Sequence, residues 1–184
     1  MHFQTQSRVD FSDAVVTSLP EGCFALTVIG QLLLPAGITE VGLQCFYGAR
    51  IAEISLSARN LRVLGDRCFK RFQTQSRVDL REAIITSLPD GCFAEAYIAQ
   101  LLLPVGIIEV KAECFYEATI AEFSLPAQDL RLSSMGRRSF MRFQTTSRED
   151  LSEVILASIC RPLLASATRA TAVVSGQVAL SMTG

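Results

Sequence analysis

The most constraining feature of the chain is that it repeats itself. A sequence with a fixed period folds by stacking copies of one unit rather than by wrapping around a single centre. The segment FQTQSRVDF, Phe3 to Phe11, returns 69 residues later as FQTQSRVDL, Phe72 to Leu80, and 71 residues after that as FQTTSREDL, Phe143 to Leu151. Between the first two copies the likeness continues: VVTSLPEGCF ending at Phe24 answers IITSLPDGCF ending at Phe93, and IGQLLLPAGITEVGLQCFYGA answers IAQLLLPVGIIEVKAECFYEA. Each long block divides again. Phe24, Phe46, Phe69, Phe93, Phe115 and Phe140 are spaced by 22, 23, 24, 22 and 25 residues, and Cys23, Cys45, Cys68, Cys92 and Cys114 precede the first five. The unit is therefore about 23 residues, a length at which repeats form solenoids.

The chemistry of the unit predicts its shape. In Ile29-x-x-Leu32-x-Leu34-Pro35-x-x-Ile38-x-x-Val41-x-x-x-Cys45-Phe46, the period of two at Leu32 and Leu34 suits a short strand with both side chains turned inward. Pro35 halts that strand because it has no N–H for a ladder, and Gly37 eases the turn. A second apolar step follows at Ile38 and Val41, and Cys45 with Phe46 closes the coil on a short helical or irregular turn. One coil is too small to cover its own apolar face, so coils stack, with the phenylalanines forming an internal spine and the small Cys side chains fitting beside it.

Departures from the period read as loops. The step from Leu56 to Leu61 is one residue longer than that from Leu34 to Ile38, and the coil from Ile120 bulges through LPAQDLRLSSM before Phe140. The linkers Lys70 to Arg77 and Arg142 to Arg148 read as exposed excursions, the first running into a strand at Val78 to Leu80. The expected organisation is a solenoid over residues 1–160, with about six coils and a degraded seventh, and a degenerate cap or loose tail over 161–184. Met1 enters the pattern in mid-coil, which suggests a fragment without its N-terminal cap.

These residues resemble the leucine-rich repeats of the BspA-like type. The resemblance is carried by IGQLLLP at Ile29 to Pro35, IAQLLLP at Ile98 to Pro104 and IAEFSLP at Ile120 to Pro126, each followed by apolar steps. It covers roughly Val9 to Phe140, with a weaker coil to Ile159, and departs from the general pattern in lacking an Asn ladder, since Asn60 is the only Asn. With the coil read above, it implies an α/β class: a leucine-rich-repeat solenoid with a parallel concave sheet and short helical or irregular convex turns. Family members look like surface or extracellular adhesion and recognition modules. The resemblance thus implies a non-catalytic protein-recognition or adhesion role with no cofactor.

Composition narrows the chemistry further. The 17 Lys and Arg stand against 18 Asp and Glu, a formal net charge of -1, which disfavours wholesale binding to nucleic acid. His2 is the sole His, and no GxSxG, HExxH or phosphate-loop motif is present, so the usual parts of hydrolytic, metal or phosphate chemistry are missing. Five Cys at one phase of a repeat, without CxxC or paired Cys/His spacing, read as core residues rather than redox or metal ligands. No apolar run approaches the roughly 20 residues that span a bilayer, and Met1 to Arg8 has no leader-like apolar core. The location expected by default is cytoplasmic, with the cell surface open if sequence is missing from the N-terminus.

Candidate protein-contact residues are the outward positions of the expected strands: Gln31, Leu33, Glu53, Asp79, Gln100, Leu102 and Glu122, flanked by Arg8, Asp10, Ser55, Arg77 and Ser124. Leu33 and Leu102 oppose the inward leucines, placing apolar contacts among polar neighbours. A narrower alternative is an acidic or phosphate-rich partner on the RFQTQSR-type loops, through Lys70, Arg71, Arg77, Arg142 and Arg148 with Gln73 and Thr74; Phe72 or Phe143 could then stack on a base, although a repeated Phe in a solenoid more often packs inward. The runner-up for the whole chain is a structural or truncated repeat fragment that associates with matching repeats through its ends and has no independent ligand.

Overall fold

The computed structural model describes residues 7–124 and 134–147. The complete coils each contribute one strand to a first sheet, one two-residue strand and one turn, Cys-Phe in five of them. The strands of the first sheet are β1 (Arg8–Asp10), β3 (Val28–Leu33), β5 (Arg50–Ser55), β7 (Gln73–Asp79), β9 (Tyr97–Leu102), β11 (Thr119–Ser124) and β13 (Gln144–Thr145). They pair in parallel in that order as one seven-stranded sheet. The short strands form two parallel sheets, one from β2 (Ser18–Leu19), β4 (Glu40–Val41) and β6 (Val63–Leu64), the other from β8 (Ser87–Leu88), β10 (Glu109–Val110) and β12 (Ser134–Met135).

The core is the interior of the stack. Leu32, Leu34, Ile38 and Val41 are buried, as are Leu101, Leu103, Ile107 and Val110 one duplication later. The phenylalanines form the expected spine: Phe24, Phe46, Phe69, Phe93 and Phe115 stack face to face at 5.0–5.4 Å with rings within 6° of parallel. Phe140 continues the stack on Phe115 at 4.9 Å. That spacing follows from the roughly 4.8 Å between neighbouring strands, so an aromatic at one phase of every coil necessarily stacks. Cys45, Cys68, Cys92 and Cys114 are buried beside the spine, and only Cys23 of this column is exposed. In the sixth coil Ser139 takes the cysteine place, and its buried hydroxyl donates towards Gly136 O at 2.6 Å and Lys111 O at 2.9 Å.

The expected α/β class is overturned: the described residues contain no helix, and the fold is an all-β solenoid. The reason lies in the Cys-Phe turn, where successive amides go to different partners. Phe24 N–H donates to Cys45 O at 2.8 Å and Leu26 N–H to Tyr47 O at 2.7 Å, both on the next coil, while Ala25 N–H closes a local turn on Gly22 O at 2.9 Å. A helix needs consecutive amides bonded four residues back, and here every second amide is committed to the neighbouring coil. The backbone enforces this with left-handed residues two positions before and after each Phe: Gly22 and Leu26, Gln44 and Gly48, Arg67 and Arg71, Gly91 and Glu95, Glu113 and Glu117, Arg138 and Arg142. Each has φ between 52° and 62°, a conformation that terminates a right-handed helix.

The linkers expected to be exposed excursions are also corrected. Residues Gln73–Asp79 are strand β7, Phe72 is fully buried, and Thr74 is buried with it. Phe72 packs edge-on against Phe46 at 5.9 Å and Phe69 at 5.4 Å. Phe143 repeats this on Phe115, Phe123 and Phe140. The extra length becomes a bulge between Thr74 and Arg77. Its hydroxyls fill the broken ladder, with Ser76 Oγ accepting from Ile54 N–H at 3.1 Å and Thr74 Oγ1 from Ser76 N–H at 3.1 Å. The bulk of the LPAQDLRLSSM insertion, the degraded seventh coil beyond residue 147 and the cap or tail over 161–184 lie outside the described residues.

A seam divides the third coil from the fourth. The second-layer sheet is split there, between β6 and β8, and in the first sheet β5 and β7 share the single register pair Arg50↔Gln73. Pro89 contributes to the split, together with Thr86 and Ser87, whose N–H groups do not repeat, among the described residues, the bonds that Arg62 and Val63 make to Thr39 O. Gly42, Gly65, Lys111 and Gly136, which stand at the same phase, donate their N–H groups to the preceding coil at Leu19 O, Val41 O, Leu88 O and Val110 O. Proline has no such donor and is tolerated at sheet edges. Its duplicate, Pro20, stands at such an edge in the first described coil, whereas Pro89 brings an edge residue into the interior. The Phe spine and turn ladder cross the seam intact, through Phe69 N–H to Cys92 O at 2.9 Å and Arg71 N–H to Ala94 O at 2.8 Å.

Candidate functional site

The expected contact residues lie together on the outer face of the seven-stranded sheet. Register places Arg8 beside Gln31 and Gln31 beside Glu53, then Arg77 beside Gln100 and Gln100 beside Glu122. A second row runs Asp10, Leu33, Ser55 and, beyond the seam, Asp79, Leu102, Ser124. The duplication thus writes one Arg-Gln-Glu row and one Asp-Leu-Ser row twice.

The polar members are held in place. Gln31 Nε2 donates to Glu53 Oε2 at 2.9 Å, and Gln100 Nε2 donates to Glu122 Oε2 at 2.6 Å. Arg8 Nη2 donates to Asp10 Oδ2 at 2.7 Å, and Ser12 gives the other carboxylate oxygen its backbone N–H at 3.0 Å and its hydroxyl at 2.7 Å. Those donors, the Ser12 backbone first, lower the Asp10 carboxyl to about 2. Asp79 is held low mainly by Arg81, whose Nε and Nη2 donate to its two oxygens at 3.0 and 2.8 Å. Leu33 and Leu102 are half-buried between these groups, each flanked in register by Ser and Asp.

Sequence reasoning missed a third row, formed by Val28, Arg50, Gln73, Tyr97, Thr119 and Gln144. Val28 and Tyr97 are 51% and 55% exposed, the main bulk at that end of the face. The signal was present: each directly precedes a buried isoleucine, Ile29 or Ile98. Gln73 was read as part of a loop and belongs to this row.

The left-handed turn positions carry a separate belt of charge. Glu95 accepts from Arg71 at 2.7 Å and faces Lys70 at 3.2 Å; Glu117 accepts from Arg142 at 2.6 Å; Glu113 faces Arg138 at 3.7 Å. Partial burial pulls Glu95 upward, but the hydrogen bonds from Arg71 and Lys70 outweigh it and hold the carboxyl below its usual range. These pairs join neighbouring coils and engage Lys70, Arg71 and Arg142 of the phosphate-binding alternative; Arg77 lies in strand β7, and Arg148 is outside the described residues. Phe72 and Phe143, the proposed base-stacking residues, are 0% and 2% exposed.

The cysteine column is poorly suited to thiolate chemistry. Burial pushes the Cys45 thiol up to about 12, with Cys23 and Cys68 adding to the effect, and burial drives Cys92 and Cys114 well above the ordinary range. Among the described residues, no group of three or more His, Cys, Asp and Glu side chains is placed to hold a metal ion, and no helix is long and apolar enough to cross a membrane.

The stacked coils, the Cys-Phe turns and the duplicated rows define a leucine-rich-repeat solenoid. The model of the BspA type leucine rich repeat region matches the chain in six copies over residues 9–148, so the protein belongs to that family. The family is one of non-catalytic interaction modules, and a general protein-interaction or adhesion role follows from membership. No curated protein matches the chain.

Proposed function

We propose that the chain recognises a protein partner with the outer face of its seven-stranded sheet, through Gln31, Leu33, Glu53, Asp79, Gln100, Leu102 and Glu122. The observation that supports this reading is the doubled pattern of Arg-Gln-Glu and Asp-Leu-Ser rows on the two halves of one seven-stranded sheet, with both glutamines tied to their glutamates. Fixed polar groups around a half-buried leucine lose little side-chain entropy on contact, which favours association. Flanking polar side chains then set register.

The test uses a displayed library of random peptides selected on the wild-type chain and measured against Leu33→Asp/Leu102→Asp. Both leucines lie outside the core cluster, so the double variant stays folded, with about 1 kcal/mol or less lost where each new carboxylate stands beside Asp10 or Asp79. Selected peptides should lose about tenfold or more in affinity for it, as for central contact residues. Equal binding to both proteins would overturn the assignment.

A second reading has its own observation. Among the described residues nothing pairs with the outer edge of β1, and Phe11 and Val28 nearby are 42% and 51% exposed. An open edge of this kind pairs with another strand, which supports association between copies through the solenoid ends. Light scattering after size exclusion distinguishes the readings: a monomer over a wide concentration range supports the face, and a concentration-dependent oligomer abolished by Arg8→Pro, which removes a donor on the open side of β1, supports the ends.

A further inference from the structure

The seam between the third and fourth coils is more than a defect in the ladder. The hydrogen bonds that Leu34 N–H makes to Ser55 O and Leu80 N–H makes to Leu102 O have no counterpart from Leu56 to Asp79 among the described residues. The sheet therefore parts at the C-terminal ends of β5 and β7. An open cleft of about 500 Å³ occupies this place, lined by Leu56 and Ala58 on one side and by Arg77, Asp79, Arg81 and Glu82 on the other.

The two arginines and two carboxylates that line the cleft balance one another, and Arg59, just outside the lining, tips the local sum to positive. Glu82 is matched by Arg59, whose Nε lies 2.7 Å away. Asp79 faces two guanidinium groups, bound by Arg81 on both oxygens and reached by Arg77 only at 3.7 Å, beyond hydrogen-bonding distance. One positive charge is left over, on a planar fork suited to a carboxylate. The duplication shows where the excess comes from. In the first copy Ser12 stands where Arg81 stands in the second, and there Arg8 binds Asp10 directly at 2.7 Å, so one cation meets one anion.

We infer that the seam cleft is a carboxylate-binding subsite, in which Arg77, backed by Arg81 and by the apolar wall of Leu56 and Ala58, takes an acidic side chain from a peptide segment of a partner protein. This rests on the recognition role proposed above and names the chemistry of one contact. Asp79 acts as a built-in competitor for the same guanidinium groups, so removing its charge strengthens binding. The Asp79 Oδ1 bond from Arg81 N–H at 3.2 Å can be kept by an asparagine oxygen, so Asp79→Asn preserves the local turn.

The probe is acetylated, amidated tetraglutamate, with the matching tetraglutamine as the uncharged control, titrated into isotope-labelled full chain and followed by NMR. Tetraglutamate should give saturable shifts centred on Arg77, Asp79, Arg81 and Leu56, with tetraglutamine about tenfold weaker or silent. Arg77→Gln/Arg81→Gln should weaken tetraglutamate about tenfold, and Asp79→Asn should tighten it about threefold. Equal binding of the two peptides, shifts centred on the Arg67 to Arg71 turn, or weaker binding to Asp79→Asn would overturn the inference. If the double arginine variant fails to fold, the Asp79→Asn arm decides alone. Tetraglutamate binding at the cleft alongside selected peptides indifferent to Leu33→Asp/Leu102→Asp would sink the sheet-face reading and leave the cleft standing. The converse pattern would sink the cleft and leave the face.

Discussion

Strands β1 and β7 are written in nearly the same residues and meet opposite surroundings. Arg8-Val9-Asp10-Phe11 answers Arg77-Val78-Asp79-Leu80, and in both copies the Asp accepts the backbone N–H two residues on, from Ser12 at 3.0 Å and from Arg81 at 3.2 Å. Burial is not shared: Leu80 is fully buried and Phe11 is 42% exposed, while Val78 is 1% exposed and Val9 only partly buried. The backbone hydrogen bond to the Asp travels with the sequence, whereas burial is donated by the neighbouring coil. The contrast between Pro20 and Pro89 has the same origin. One proline in one local sequence sits at an edge in the first copy and breaks a ladder in the second.

The largest expected effect tests how far burial depends on neighbours. Phe93 stacks between Phe69 and Phe115 at 5.4 Å on both sides, whereas Phe24 is covered by Phe46 and, on its outer side, by the tilted ring of Phe11 at 6.3 Å. Phe93→Ala should cost about 3–5 kcal/mol in urea unfolding. Phe24→Ala should cost less, about 1–3 kcal/mol. Equal losses would mean that the spine does not act through stacked neighbours.

Close approach of coils gives the next effect. A Cβ on Gly65 would press on the backbone of Leu43 and Gly42, whereas one on Gly37 would sit 3.6 Å from Val16 O in ordinary contact. Gly65→Ala should destabilise by about 1–3 kcal/mol through backbone displacement. Gly37→Ala should be neutral or stabilising by up to about 1 kcal/mol through the unfolded chain. Thermal melts of the two variants check the difference.

The two prolines sharpen the comparison with a smaller effect. Pro89→Ala restores an N–H facing the third coil, and Pro20→Ala restores one at a described edge. Hydrogen exchange should show the new amide at position 89 protected and the one at position 20 exchanging quickly, with stability changing by no more than about 1 kcal/mol, the net worth of one hydrogen bond. Similar exchange at both positions would remove Pro89 as a cause of the split.

The smallest effect is on acid stability. Asp10, Asp79, Glu95 and Glu117 all have folded-state carboxyls below their ordinary values, the last held by Tyr116 and Arg142. Groups lowered on folding contribute stability above their unfolded values and lose it as pH falls through their folded values. For Asp10 that window runs from 3.8 down to about 2. Carbon-detected NMR titration should find Asp10 ionising near the lower end, and Asp10→Asn should flatten the acid limb of the stability curve slightly.

Much of the architecture was legible because the period of about 23 residues carries it: the Phe spine, the buried Cys column and the rows of Gln31, Leu33, Gln100 and Leu102 all follow from stacking identical phases. The turn was misread because its apolar spacing fits a helix as well as a coil closure. What decides is the pair of left-handed residues around each Phe, and nine of the twelve are not glycine, so residues such as Leu26 and Glu95 give no composition signal. The RFQTQSR segment was misread as a loop because its polar residues hide two buried positions, Phe72 and Thr74, and a bulge absorbs its extra length. The seam cleft escaped for another reason: it arises between coils, from the bulge in β7 and from Arg81, and no single repeat contains it.

The most direct test of the recognition role is a methyl NMR titration of leucine-labelled chain with a library-selected peptide. The account predicts that the Leu33 and Leu102 methyl groups shift together and saturate at the same peptide concentration while the buried methyl groups of Leu32 and Leu101 keep their core positions. Shifts confined to residues near β1 or β13, with Leu33 and Leu102 unmoved, would contradict it.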